Sequence, residues 1–92
     1  MPQPERRKVL DQVLIQLIEA DVESGFSLVD EAKAYRLQGN RDFSCRALQQ
    51  AEAIVADIER RLTAFKDSEA RPFLPLLTEL REQIAAAGGE DS

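Results

Sequence analysis

At 92 residues, with 43% apolar and 32% charged side chains, the chain has the composition of one globular domain and not of a disordered or fibrous segment. Its net charge of −5, from 17 acidic and 12 basic residues, argues against the basic face that nucleic-acid binding needs, and with no histidine any acid–base or metal chemistry would have to do without it. Folding of so short a chain buries only about two-thirds of the surface exposed when unfolded, so the core is thin and a protein partner would add to it.

The abundance of Ala, Leu, Glu, Arg and Gln favours helix, and no strand alternation is present. Two amphipathic stretches, Pro4 to Gln38 and Arg41 to Phe65, adjoin with only Gly39-Asn40 between them. That arrangement predicts a helical hairpin. Pro4 suits a first turn, where its missing N–H costs nothing. Leu10, Val13, Leu14, Leu17 and Ile18, then Val22, Phe26, Val29, Ala32 and Tyr35, recur at spacings of three and four.

Gly25 interrupts this run and could end a first helix, with Ser27 capping a second. The apolar phase continues across it, however, and a mid-helix glycine costs only about 1 kcal/mol relative to alanine, so one helix from about Glu5 to Gln38 is expected. With the turn at Gly39 and Asn40, positions whose numbers sum to about 80 should face each other. That places Gly25 opposite Ala51 to Val55 as the close helix crossing, and Asp21 opposite Arg60.

In the second stretch Phe43, Ala47, Leu48, Ala51, Ile54, Val55, Ile58, Leu62 and Phe65 form a stripe wide enough to touch two neighbours, so a third layer is needed. Asp42 or Asn40 can cap its start. After a polar link from Lys66 to Arg71, Pro72 and Pro75 open a third, short helix in which Phe73, Leu77, Leu80 and Ile84 share a face. The expected architecture is all-α: a long antiparallel hairpin with a short third helix, in one domain over residues 1–92. Its ordered core runs from about 5 to 87, and Gly88-Gly89 end the last helix ahead of a disordered tail.

The series Ala32, Tyr35, Gly39, Phe43, Ala47, Leu48, Ala51 resembles one unit of a tetratricopeptide-type hairpin, and more loosely a microtubule-interacting-and-transport-type three-helix domain. The resemblance implies protein or peptide binding in a groove and assigns no specific residues. Phe43 and Ala47 are four apart where the repeat family shows three, and no second copy follows, although such repeats need about three units to bury their faces.

Catalytic, cofactor and metal readings find no support. A helical chorismate mutase needs cations inside the bundle, yet no base lies between Lys8 and Lys33. Glu19, Asp21 and Glu23 lack the Glu-x-x-His pairs of a di-iron bundle. The lone Cys45 has no partner base and no disulfide partner, and a small, partly buried place near the hairpin tip is expected for it.

Met1 to Lys8 leads into a segment broken by Asp11, Gln12, Gln16 and Glu19, so no secretory signal is read and a cytoplasmic location is expected. The densest apolar run, Val9 to Ile18, falls short of the roughly 20 residues that span a bilayer, and its polar side lacks a basic stripe.

The functional expectation is therefore a non-catalytic helical protein acting through protein contacts, most simply as a homodimer, with a peptide- or helix-binding adaptor as the alternative. Leu10, Leu14, Ile15, Ile18 and Val22 are the candidate interaction surface. Gly25, Ala51 and Val55 are the helix-crossing positions, and Gly39 and Asn40 the turn. Neither nucleic acid, membrane, metal nor cofactor is expected as a partner.

Overall fold

A single 34-residue helix sets the length of the molecule. In the computed structural model, which describes residues 4–89 and the side chains of 12–88, α1 runs unbroken over Pro4–Leu37. At 1.5 Å per residue that is about 50 Å, close to the longest dimension of 58 Å. Helix α2 spans Arg41–Leu62, α3 is one turn at Asp67–Ala70, a 3₁₀ turn follows at Arg71–Phe73, and α4 spans Leu74–Gly89. The all-α hairpin with a shorter third helix is thus the fold, and α1 passes through Gly25 without a break.

The turn satisfies its backbone on both sides. Asn40 N–H donates to the Tyr35 carbonyl and Gly39 N–H to that of Arg36, both at 2.9 Å, which is the Schellman closure of a helix C-terminus. Gly39 holds φ +78°, a left-handed conformation costly for any residue with a Cβ. Asn40, rather than Asp42, caps α2: its side-chain oxygen accepts from Phe43 N–H at 3.3 Å.

Beside the turn the buried residues are small, namely Ala32, Ser44, Ala47 and Ala51, so α1 and α2 approach closely there. Farther along, Val22, Val29, Val55, Ile58 and Leu62 join Phe73, Leu77, Leu80, Ile84 and Ala87 in one buried cluster. Every member of the predicted α4 face is in it.

The structure corrects several expected positions. Helix α2 ends at Leu62 rather than Phe65, where Thr63 Oγ1 donates to the Arg60 carbonyl at 2.6 Å. The link from Lys66 to Arg71 is not merely solvated chain. Its short helices bring Phe73 into the core, with Phe65 and Ala70 packed against it. Gly88 and Gly89 are the last two residues of α4, so the helix runs two residues past the expected ordered core, and residues 90–92 of the expected tail lie outside those described.

Asp21 pairs with Arg61 at 3.1 Å, one position from the expected Arg60, which instead pairs with Asp57 in its own helix. Cys45 is exposed, and its neighbour Ser44 takes the inward position. Gly25 faces a close crossing with α4: the nearest atoms that a Cβ added there would meet belong to the Leu80 side chain, the first at 2.7 Å.

Candidate interaction surface

Helix α1 is twelve residues longer than α2, 34 against 22, and the Asp21–Arg61 pair fixes how the two lie side by side. The last turn of α2 then comes level with about residue 20. The first four turns of α1 run past it as an arm, partly backed by the segment around Phe65 and Phe73.

The arm carries apolar side chains on two faces. Ile18 is 0% exposed and Val22 is also buried, so both belong to the core and are not free surface. Ile15 and Leu14 are half-buried, Ile15 packing against the core cluster. Leu10 lies outside the described side chains. Of the five residues expected to form an open surface, the four that can be placed therefore point wholly or partly inward. The reason is the segment after α2: Phe73, which follows the link from Lys66 to Arg71, shares the buried cluster of Ile18.

The open face is instead that of Val13 and Leu17, which are 47% and 45% exposed. It continues up the helix through Ala20, Ser24, Ser27 and Glu31, all exposed. These six positions step alternately by four and three residues, the spacing that lines one side of a helix for a partner helix. At 100° per residue the stripe is centred about 140° away from the core line of Ile18, Val22, Gly25, Val29 and Ala32. The small side chains leave a shallow depression of about 490 Å³, lined by Ala20, Glu23, Ser24, Ser27, Leu28 and Glu31.

A second concavity, of about 540 Å³, lies between α2 and α4. Leu48, Val55, Ala56, Ile84 and Ala85 line it, with Glu52 and the ion-paired Glu59 and Arg81 among its polar residues. Val55, expected at the α1 crossing, is buried beside this groove, and Ala51 is wholly buried in the core. At the hairpin tip the Tyr35 and Phe43 rings pack at a 42° tilt with centres 5.4 Å apart, and the Arg46 guanidinium lies 5.7 Å from the Phe43 ring centre.

Among the described residues no group of three or more His, Cys, Asp or Glu is placed to hold a metal ion, and no helix is long and apolar enough to cross a membrane. No protein-family model, curated protein or solved structure matches the chain, so the reading of these surfaces rests on their own chemistry.

Proposed function

We propose that the protein is a non-catalytic helical interaction module of the cytoplasm that self-associates through the outer face of α1. The observation that carries this is the pair Val13 and Leu17, half exposed on one face of an arm that α2 does not reach. Apolar side chains set together on one helix face gain by meeting another such face, and a two-fold dimer lets one patch cover itself. The absence of histidine and the lack of a base from residues 9 to 32 favour a binding role over catalysis.

Association that stabilises the folded chain makes its melting midpoint rise with protein concentration. That rise is expected for the unaltered protein. It should vanish when Val13 and Leu17 are both changed to Glu, with helicity retained. A midpoint independent of concentration in the unaltered protein would contradict self-association.

One observation favours the adaptor reading as second. The groove between α2 and α4 has an apolar floor with charged residues at its edge, as helix-binding grooves do. A monomer at all concentrations would turn the assignment to that groove.

A further inference from the structure

We infer that the groove between α2 and α4 takes an amphipathic helix of another protein, one that seats apolar side chains at i, i+4 and i+7 and carries a Lys or Arg beside the central one. This rests on the second reading above, that the groove holds a helix, and names the chemistry of the occupant.

The two walls run antiparallel. At one end a Cβ on Gly88 would lie 3.8 Å from the Leu48 side chain, and at the other Arg81 pairs with Glu59. On α2 the lining positions 48, 52, 55 and 59 step by four, three and four, and on α4 positions 81, 85 and 88 step by four and three, so each helix turns one straight edge to the groove. From Leu48 to Glu59 the trough is about 16 Å long. Its volume of about 540 Å³ over that length gives a cross-section of roughly 35 Å², room for one row of side chains and too narrow for a whole helix, about 10 Å across.

An occupant therefore lies over the groove and inserts anchors from one face. Anchors at i, i+4 and i+7 span about 10 Å, within the trough. Val55 and Ile84 form a buried floor, while Ala56, Ala85 and Gly88 are exposed on the shoulders and put no long side chain in the way. An extended peptide fits less well, because two helices offer no free backbone edge to pair with its N–H and C=O groups, whereas a helix satisfies its own.

Charge selects the partner. Glu52, Glu59 and Arg81 line the groove, and the last two pair with each other across it. Glu52, between the two ends, is exposed and has no ion-pair partner among the described residues. A helix laid over the groove brings its flank beside this carboxylate, where a Lys or Arg gains an ion pair and an acid meets repulsion. The same charge disfavours the outer face of α1 from a second copy, because α1 holds six acidic residues and no base from residue 9 to 32. The occupant is then a foreign helix, and self-association through α1 leaves this groove open.

The test uses two fluorescein-labelled peptides of about 14 residues, built of Ala and Gln with three Leu spaced by four and three, and stapled because free helices this short are marginal in water. They differ at one residue beside the central Leu, Lys in one and Glu in the other. In anisotropy titrations at low salt the Lys peptide should bind the unaltered protein about fivefold more tightly than the Glu peptide, and Glu52→Lys should reverse that order. Ala56→Gln together with Ala85→Gln, at two exposed positions, should abolish binding of both peptides while circular dichroism shows helicity retained.

Equal affinities for the two peptides, both lost in the double-Gln variant, would overturn the basic partner and leave the groove as a helix site. Binding of neither peptide, or binding that survives the double-Gln variant, would overturn both.

Discussion

Gly25 lies directly against Leu80. A Cβ on Gly25 would stand 2.7 Å from Leu80 Cδ2, and Leu80 is 0% exposed, so its methyl groups have no solvent to move into. The close passage of α1 over α4 therefore depends on the missing side chain. Alanine at this position gains about 1 kcal/mol of helix propensity but forces a displacement in a filled core, which costs about 1–3 kcal/mol. Gly25→Ala is expected to lower stability in urea unfolding, and Gly25→Leu to lower it further. In a Leu80→Ala background, itself destabilised by about 2–5 kcal/mol, the added methyl should become neutral or favourable. An unchanged penalty in that background would place the crossing elsewhere.

The turn supplies a second prediction. Gly39→Ala forces a Cβ into the left-handed region at φ +78° and should cost about 1–2 kcal/mol, although nothing lies within 4 Å to clash with it. Asn40→Ala removes the cap on α2 and should cost about 1 kcal/mol, while Asn40→Asp or Asn40→Ser should cost much less. Chemical denaturation of the four variants checks this ordering.

Helix period, the turn pair Gly39-Asn40 and the opening prolines made the three-helix layout legible, because each is a local signal with one structural meaning. Lateral position was less legible. The sum rule gave Gly25 only α2 as a neighbour, whereas α1 also carries α4, and it missed the ion partner of Asp21 by one residue. Ser44 and Cys45 differ by about 100° around the helix, and geometry rather than polarity chose which went inside. Leu10 to Ile18 crowd apolar residues on two faces of α1, so composition alone could not separate the core member Ile18 from the open member Leu17. The stripe through Ala20, Ser24 and Ser27 carries no hydrophobic signal and emerged only once the core face was known.

Leu17 and Ile18 are neighbours with opposite roles, at 45% and 0% exposure. Ile18→Ala should destabilise the folded chain by about 2–5 kcal/mol through the cavity it leaves. Leu17→Ala should leave the dilute chain within about 0.5 kcal/mol of the unaltered protein while weakening association. Thermal melts at low and high concentration separate the two effects.

The Asp21–Arg61 pair is partly exposed, and its expected contribution is small. Arg61→Met should cost less than about 1 kcal/mol, with the difference shrinking in high salt, and Arg60→Met should be near neutral because Arg60 pairs within its own helix. Denaturation in low and high salt tests both variants.

Sedimentation equilibrium at high micromolar concentration measures most directly whether the outer face of α1 meets another copy of itself. Self-association gives a molar mass of twice the 10.3 kDa chain, falling to one chain on dilution and in the Val13→Glu, Leu17→Glu variant. A mass of 10.3 kDa for the unaltered protein at every concentration would contradict it.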